Sequence, residues 1–456
     1  MNCSCVLKKA LILLAATIAL SFISCAQMGY ITGHKAEPLP AGETSSRPGV
    51  YHDGNWIIAR AAMHTHTIIS DGKRTPEDLL KLAHRENIAI LAITDHREGG
   101  IKLSNGIRVP LSGVEQIGYE AYFKRLSSLR DTYKDMILLI GLEVNPNLYN
   151  IGKFPHMVIL NQNDHFTVYA INDPEIFKRM PVWRTVNSKP DFPPGLVPIQ
   201  KFVDYIVDNS GIVVGAHMYS PQDTWFGPVH FVTDSLTDLI HDLHGLTAFA
   251  ILPETYTDQA AGPGGLWDAT LLEYLMGMRD QAPWALGDSD YHEGVGPDLV
   301  RGTTLFYMRE FTEQEVYSCM RQGRMVALMG PYFQDIYVSE FSVGQTDRPA
   351  KEKVMFGQSV TLNGTPVVRF SLNRKIPDAR VRLIRNGKIV KEVKDSSLEF
   401  ADSEVYEKKL PAFYRVEVIA PDMPIAGDAA YPEAHISRLY TNPIFAHQAP
   451  LVSNNR

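Results

Sequence analysis

Short runs of apolar residues recur along the chain, and most of them end in residues whose side chains bind metal ions. The runs are WIIARAAMHTH, IAILAITDH, MILLIGLEV, GIVVGAHM and APWALGDSDYH. Continuous Val, Ile and Leu are typical of strands buried on both faces, as in parallel sheets. The pattern therefore predicts buried strands whose polar residues come at the carboxyl ends.

Helical segments lie between these runs, and the clearest is TPEDLLKLAHREN. Thr75 suits the N-cap, Pro76 suits the first turn, and two acidic residues follow at the positive end of the helix. Catalytic residues of α/β barrels lie at the carboxyl ends of strands that alternate with helices. We therefore expect an α/β barrel over residues 59–340, with the metal-binding side chains at its mouth.

From about residue 341 the chain changes to an alternation of apolar and polar positions. ARVRLIRNGKIVKEV alternates around Asn386-Gly387, which is a strong hairpin signal, and FYRVEVIA and ISRLYTNPIF alternate too. No cluster of metal-binding residues falls after residue 350. The pattern predicts an all-β, sandwich-like accessory domain over residues 341–456.

The N-terminus is typical of an export signal. Two lysines precede an apolar run from Ala10 to Ile23, which is too short to span a bilayer comfortably. The run ends in FISC, which resembles the lipobox of bacterial lipoproteins, so we expect a lipid anchor at Cys25 and an exported, membrane-anchored protein. A plain secretory signal and an uncleaved anchor are the alternatives. Residues 1–24 would be the signal peptide and residues 25–58 a flexible tether.

Composition narrows the possibilities further. The chain has 456 residues, of which 45% are hydrophobic, and a net charge of −7, so it is globular and does not resemble a general nucleic-acid binder. Cys3 and Cys5 would leave with the signal and Cys25 would be lipidated. Only Cys319 would remain, so the mature chain would form no internal disulfide and would depend on its core or on metals.

Spacing alone points to a metal site. Residues i and i+2 of a strand face the same way, so His64 and His66 can hold one ion together, as can Asp290 and His292. A single histidine is more often an ordinary core or surface residue. Several histidines and carboxylates at strand ends together predict metal binding.

The order of these motifs resembles the PHP superfamily, named for polymerase and histidinol phosphatase. HTHTIISDGKRTPEDLLKLAHRENIAILAITDH is similar to the first two motifs of the family, and the similarity continues through GLEV, FPHMVIL, GAHM and GDSDYH. It covers about residues 60–330. The resemblance implies a distorted (β/α)7 TIM-like barrel, two or three divalent metal ions (Zn, Mn or Fe) and a metal-dependent phosphoesterase.

The resemblance also implies a ligand set. The implied metal ligands are His64, His66, Asp71, His96, Glu143, His156, His217, Asp290 and His292. Asp288 beside Asp290 leaves open which of the two aspartates binds metal. This set exceeds the four ligands that zinc usually takes, which favours more than one ion. The other histidines, including His165, match no motif and are expected to be solvated or hydrogen-bonded.

Three residues are predicted to be catalytic: Asp95, Glu143 and His217. Glu143 would be the bridging carboxylate. Asp95 would orient a ligand or relay a proton, although it could instead cap a strand end. Lys73 and Arg97 lie next to motif residues and could contact a phosphate, but a solvated surface charge accounts for each equally well.

The leading interpretation is hydrolysis of a small phosphorylated substrate by a metal-activated hydroxide, outside the cytoplasm, with no nucleic-acid partner. The alternative enzyme is an amidohydrolase-like hydrolase of C–N bonds, because the barrels of that class also begin with a His-x-His motif. A non-catalytic surface lipoprotein, whose β domain binds a glycan or a partner, is the third possibility. The sequence leaves open the substrate, the choice between mono- and diesters, the metal and the oligomeric state.

Overall fold

A computed structural model describes much of the chain. The described residues are 49–97, 100–102, 108–110, 112–151, 158–161, 165–185, 196–216, 223–226, 229–232, 239–251, 260–293, 299–330, 333, 335–345, 355–420 and 437–449. The predicted signal peptide, Cys25 and the predicted tether up to residue 48 lie outside these ranges. Within them, no helix has the length and apolar character needed to cross a bilayer.

Strands outnumber helices in the described residues. The strands are β1 (Val50–Asp53), β2 (Trp56–Thr65), β3 (Ile90–Ile93), β4 (Gly100–Lys102), β5 (Arg108–Pro110), β6 (Ile137–Ile140), β7 (Leu142–Val144), β8 (Asn147–Ile151), β9 (Val158–Asn161), β10 (His165–Tyr169), β11 (Trp183–Thr185), β12 (Ile212–Ala216), β13 (Asp223–Phe226), β14 (Val229–Val232), β15 (Ala248–Ile251), β16 (Trp284–Gly287), β17 (Gly302–Met308), β18 (Met325–Met329), β19 (Val338–Gln345), β20 (Ser359–Leu362), β21 (Pro366–Leu372), β22 (Arg380–Arg385), β23 (Lys388–Val393), β24 (Ser397–Ala401), β25 (Ala412–Ile419), β26 (Arg438–Thr441) and β27 (Ile444–Gln448). The helices are α1 (Pro76–Arg85), α2 (Val114–Ile117), α3 (Tyr119–Arg130), α4 (Pro174–Lys178), α5 (Leu196–Asp208), α6 (Leu239–Asp242), α7 (Leu266–Leu275), α8 (Glu313–Gln322) and α9 (Ser403–Lys408).

Contacts between residues divide the chain into two compact units. Apart from residues 1–48, which lie outside the described ranges, the first consists of Ala62–Leu246 and Ser289–Leu299. The second consists of Gly49–Ala61, Thr247–Asp288 and Val300–Arg456. The division runs through β2, whose last residues belong to the first unit. The domain boundaries at residues 58 and 340 stay predictions.

In the first unit the strands pair in small groups. β3 and β6 are parallel, with Ile90 opposite Ile137. β10 lies between β7 and β12 and is antiparallel to both. Five more strands follow the order β11-β8-β9-β14-β13, and β4 pairs with β5. β2 ends beside β3, where the Thr94 amide donates to the Thr65 carbonyl at 2.9 Å.

Helix α1 of the first unit forms as its sequence predicts. The Thr75 hydroxyl accepts a hydrogen bond from the Asp78 amide at 3.1 Å, and Pro76 opens the first turn. The apolar stripe of the helix, Leu79 to Ala83 apart from Lys81, is buried. Cap, proline and stripe are local signals, so the sequence alone locates this helix.

The second unit contains the C-terminal β strands. One sheet has the order β19-β21-β24, and β20, β27, β25, β26, β18 and β17 follow one another in a larger sheet. Phe341 and Phe370 from the first sheet share a core with Val381 and Val416 from the larger one. The C-terminal strands thus form a multi-sheet region with a shared core, and the sandwich-like architecture stays a prediction.

The β22–β23 hairpin turns at Asn386-Gly387, with φ of 49° and 80°. Both angles are positive, as a two-residue type I′ turn requires. The hairpin that this dipeptide predicts is therefore confirmed.

The sequence led us to expect parallel strands, but only some of the strands are parallel to their neighbours. β3 and β6 are parallel, but β7, β10 and β12 form an antiparallel group. An apolar run indicates that a strand is buried, and it does not indicate the direction of its neighbours. The fold is mixed α/β, and the strand order does not confirm the predicted (β/α)7 barrel.

Candidate metal centre

The first motif forms a loop that folds back on its own strand. His64 is the penultimate residue of β2, and His66 follows the end of the strand. Gly72 lies against the His66 carbonyl, and a Cβ on Gly72 would come within 2.2 Å of that oxygen. Glycine permits this approach because it has no side chain. The loop brings Asp71 Oδ1 to 3.4 Å from His66 Nδ1.

Two backbone hydrogen bonds hold the fourth motif against the first. The Tyr291 amide donates to the His64 carbonyl at 3.0 Å, and the His66 amide donates to the Tyr291 carbonyl at 2.9 Å. Asp290 and His292 flank Tyr291 and therefore lie next to the first-motif histidines. Asp290 has φ of 46°, a left-handed conformation that is uncommon for a residue with a side chain. Such conformations cluster at functional sites.

Eight side chains form three overlapping groups suited to metal binding. Within each group, one ligand atom from every residue lies within 4.8 Å of the others. The groups are His64, His66, Glu143 and Asp290; His66, Asp71, His96 and His292; and His96, Glu143 and His165. Seven of the nine predicted ligands are in these groups. The other two, His156 and His217, lie outside the described residues.

The first group is arranged around the ring nitrogens of the His-x-His pair. His64 Nε2 lies 3.4 Å from Glu143 Oε2 and 3.3 Å from Asp290 Oδ1. His66 Nε2 lies 3.2 Å from each of the same two oxygens. Two nitrogens and two carboxylate oxygens thus face a common point. Asp290 belongs to this group, whereas Asp288 belongs to none of the three groups found among the described residues.

The second group is arranged around Asp71. Its Oδ1 lies 3.1 Å from His292 Nε2, and its Oδ2 lies 3.4 Å from His96 Nε2. The rings of His66 and His292 stack with centroids 4.1 Å apart. One carboxylate therefore lies among three imidazoles.

Glu143 connects the groups, since its two oxygens face different histidines. Oε1 lies 2.7 Å from His165 Nδ1, and Oε2 lies 3.0 Å from His96 Nδ1. The Glu143 side chain is fully buried. A carboxylate in this position could bridge two cations, and the bridging role of Glu143 stays a prediction.

His165 was not among the predicted ligands and was expected to be solvated or hydrogen-bonded; its Nδ1 forms a hydrogen bond with Glu143 Oε1 at 2.7 Å, which agrees with that expectation. Its place in the third group was not predicted. The prediction looked for ligands at the carboxyl ends of strands, and His165 is the first residue of β10. Because β10 is antiparallel to β7, its N-terminal end lies beside the C-terminal end of β7, with Thr167 opposite Glu143. The strand direction that the sequence did not reveal is thus the reason for the omission.

Electrostatics in the site favour charged pairs. Burial alone would raise the pKa of Asp71, but positive charge on His292 and His96 outweighs it and holds the pKa well below its usual range. Burial alone would lower the pKa of His292, but Asp71 and Asp290 raise it to about 9. The pKa of Glu143 is likewise lowered and that of His96 raised, each against the effect of burial. Without metal, His96 and His292 thus hold protons that balance the charges of Asp71 and Glu143.

The donors present fit divalent cations. Both carboxylate oxygens of Asp71 and Nε2 of His292 are buried without a hydrogen-bond partner among the described residues. Unsatisfied buried polar atoms are costly in a folded protein, and a cation would satisfy these. Imidazole and carboxylate ligands suit Zn, Mn and Fe.

Asp95 lies behind the first motif and organises it. Its carboxylate accepts hydrogen bonds from the Thr67 amide at 2.7 Å, the Thr67 hydroxyl at 2.8 Å and the Ser70 hydroxyl at 2.7 Å. Ser70 Oγ lies 3.2 Å from His66 Nδ1. Because the Ser70 hydroxyl donates to Asp95, its oxygen is left to accept from Nδ1–H of His66. Nε2 of His66 is then the nitrogen with a free lone pair, and the described contacts give Asp95 a positioning role.

The two predicted phosphate contacts differ in their surroundings. Lys73 is half-buried and forms no ion pair with a described residue. Arg97 is 8% exposed, and its Nη2 lies 2.8 Å from Glu115 Oε1. Arg97 is thus already engaged by a carboxylate, and substrate contact by either residue stays a prediction.

A comparison with protein families now identifies the first part of this site. Residues 62–172 match the PHP domain family. The chain therefore contains a PHP domain. The matched segment includes His64, His66, Asp71, His96, Glu143 and His165. Asp290 and His292 lie beyond the segment, and the backbone pairing at Tyr291 joins them to the PHP domain.

Three solved structures are similar to parts of the chain. One is a two-domain protein from Bacteroides vulgatus containing a predicted PHP-like metal-dependent phosphoesterase, with 11% identity over 79% of this chain and 90% of that chain, and a TM-score of 0.40. Another, from Bifidobacterium adolescentis, is described as a metal-dependent phosphoesterase. It has 16% identity over 52% of this chain and 89% of that chain, and a TM-score of 0.28. An amidohydrolase from Chromobacterium violaceum has 16% identity over 52% of this chain and 90% of that chain, and a TM-score of 0.24.

Among curated proteins, a sequence comparison finds no match to this chain. The identification therefore rests on the PHP family match, and the proposal of an activity rests on the geometry of the site.

Proposed function

We propose that the protein is a phosphoesterase that uses two or three divalent cations, Zn, Mn or Fe, held by the PHP domain. The overlap of the three groups supports this proposal. Eight side chains exceed the usual four ligands of one ion, and Glu143 belongs to two of the groups. Glu143 is shared by the first and third groups, so its negative charge would offset part of the repulsion between cations held there.

The proposed roles follow from the contacts. His64, His66 and Asp290 would hold one cation with Glu143, and Asp71, His96 and His292 would hold another. His165 would hold its Nδ1 against Glu143 and could contribute to a third position. Asp95 would keep His66 in the correct tautomer through Ser70. Bound divalent ions supply polarisation of a phosphoryl oxygen and bring the pKa of water towards neutrality.

The test is a phosphate-release screen on the metal-replete mature chain. We expect turnover of a phosphomonoester or phosphodiester that is lost after chelation and restored by Zn, Mn or Fe. Ammonia release from a panel of amide and amidine substrates, without phosphate release, would favour the amidohydrolase-like alternative. Metal binding with no turnover on either panel would favour a non-catalytic surface protein. The distorted barrel also belongs to this proposal, and a crystal structure of the metal-loaded protein tests it.

We further propose that the enzyme acts outside the cytoplasm and is attached to a membrane through Cys25. The FISC motif after an apolar run supports this location. Mass spectrometry of the mature N-terminus should find an acylated Cys25. A chain that begins at Met1, or cleavage at a different residue, would contradict the anchor.

A further inference from the structure

A cavity of about 560 Å³ lies in the second unit, formed by the turn between β1 and β2, by β17 and β19, and by residues 355–358. Its volume falls within the range of small-molecule binding sites. None of the side chains that line it belongs to the metal-binding groups. The proposed hydrolysis therefore does not account for this cavity.

The cavity has a polar rim and an apolar floor. Asn55, Arg309 and Gln358 are exposed at its lining, and Asp53 and Glu340 are half-buried there. Trp56 and Met355, which also line the cavity, are half-buried and offer it apolar surface, whereas Ile58 and Phe341 are 0% and 2% exposed. A ligand that fits must therefore present polar groups at its edge and apolar surface towards the floor.

Arg309 supplies hydrogen-bond donors to the rim. Its guanidinium carbon lies 3.6 Å from the centroid of the Trp56 ring, so the group is held against the indole. No hydrogen bond or ion pair joins this guanidinium to another residue of the described chain. A guanidinium has five N–H donors, and stacking on an aromatic ring leaves them available at its edge.

The rim also supplies acceptors. Asp53 and Glu340 contribute carboxylates, and Gln358 and Asn55 contribute amides that both donate and accept. The Ser342 hydroxyl donates to Glu340 Oε1 at 3.2 Å, which helps to orient that carboxylate. Hydrogen-bond donors and acceptors are thus both present at the opening.

The charges decide between classes of ligand. Two carboxylates would repel an anion such as phosphate, and Arg309 offsets part of their attraction for a cation. An uncharged ring with many hydroxyl groups meets no repulsion, and each hydroxyl can pair with either a donor or an acceptor of the rim. The C–H face of such a ring matches the apolar floor. We propose that this cavity binds one or two rings of a neutral saccharide.

The experiment uses the complete mature chain and a panel of glucose, galactose, mannose, xylose, N-acetylglucosamine and their disaccharides. Saturation-transfer NMR identifies binders, and calorimetry measures their Kd. Glu340→Gln and Arg309→Gln each remove one charged partner and should weaken binding by about tenfold. Glu407→Gln, a matched change at an exposed position of α9 that does not line the cavity, should leave Kd unchanged.

Each outcome decides the proposal. Binding of a neutral sugar that weakens in both cavity variants, in proteins with unchanged thermal transitions, would support it. If no sugar of the panel binds, or if Kd is the same in Glu340→Gln, Arg309→Gln and wild type, the proposal is wrong. Gluconate and inorganic phosphate serve as charged comparators; if either binds as tightly as the neutral sugars and its Kd changes in Arg309→Gln, so that it occupies this cavity and not the metal centre, the proposal is also overturned.

Discussion

Arg415 and Asp268 form a buried ion pair in the second unit through two hydrogen bonds. Nε donates to Oδ1 at 2.6 Å, and Nη2 donates to Oδ2 at 2.8 Å. Their side chains are 0% and 1% exposed, and the guanidinium carbon lies 4.8 Å from the centroid of the Trp267 ring. Such a pair is stable while both members are present, because each neutralises a charge that has lost its water.

Removing either Arg415 or Asp268 should therefore lower the stability of the folded chain. We expect Asp268→Ala to lower the free energy of unfolding by about 3–5 kcal/mol, since it leaves the Arg415 charge buried and unpaired. Urea unfolding followed by circular dichroism measures this loss. Glu399→Gln is the control, because Glu399 pairs with Arg369 at 3.1 Å on the surface and should change stability by at most about 1 kcal/mol. Equal stabilities of the two variants would contradict the expectation.

The same contacts predict that the C-terminal strands are required for folding. A chain ending at Gln345 would lose Arg415 and would lose β26, which pairs with β18 at Val326 and Thr441. It would also lose Asn442, whose Oδ1 accepts from the Ala285 amide at 2.8 Å. We expect this truncated chain to aggregate or to lack a cooperative thermal transition. Truncation after Ala449 is the control and should fold. A soluble, metal-binding chain ending at residue 345 would show instead that residues 341–456 are accessory.

Asp95 should affect metal binding without contacting the metal. Asp95→Asn keeps the size of the side chain but replaces one acceptor oxygen with a donor that faces Thr67 or Ser70. We expect metal affinity to fall by about 10–100-fold, as is common when an outer partner of a ligand is changed. Competition with a chromophoric chelator measures the affinity. Asp208→Asn, at the exposed end of α5, is the matched control. Unchanged affinity in Asp95→Asn would exclude the positioning role.

His165 provides a test of the third group. We expect His165→Gln to reduce the number of metal ions bound per chain, because the amide is a weaker ligand and loses the contact with Glu143 at 2.7 Å. Elemental analysis after dialysis gives the metal content. His244→Gln, at an exposed position in the same unit, should retain the wild-type content. If both variants bind as much metal as wild type, His165 is not a ligand.

Stability of the metal-free protein should depend on pH through His292. Its pKa in the folded chain is about 9 because Asp71 and Asp290 outweigh the effect of burial, whereas an unfolded histidine titrates near 6.5. Because the pKa of His292 is raised in the folded chain, its proton stabilises that chain fully below about pH 6.5. This contribution is lost as the pH rises through 9. The carboxylates Asp71 and Glu143 have lowered pKa values, so their contributions are lost only in acid.

The Tm of the chelated protein should therefore fall between about pH 6.5 and 9, while that of the metal-loaded protein should change less, since its imidazoles are already neutral. Differential scanning calorimetry across this range, with and without metal, gives the comparison. If the Tm of the two forms changed with pH in the same way, the proton on His292 would not take the place of a cation.

Several features could be predicted from the sequence because their causes are local. The N-cap at Thr75 and the turn at Asn386-Gly387 depend on residues within a few positions of one another. The position of His64 and His66 at the end of β2 follows from one apolar run. Seven predicted ligands also lie together, because the order of the motifs along the chain carries that information.

Tertiary structure alone decided the rest. His165 joins Glu143 because β10 is antiparallel to β7, and an apolar run is the same in either direction. Arg415 meets Asp268 across 147 residues of sequence, and no local pattern pairs two such distant charges. Strand direction and pairing depend on which surfaces of the folded chain meet. The sequence by itself therefore determined the local elements and most of the candidate metal-binding residues, whereas long-range packing decided which side chains lie together and how the C-terminal strands pair.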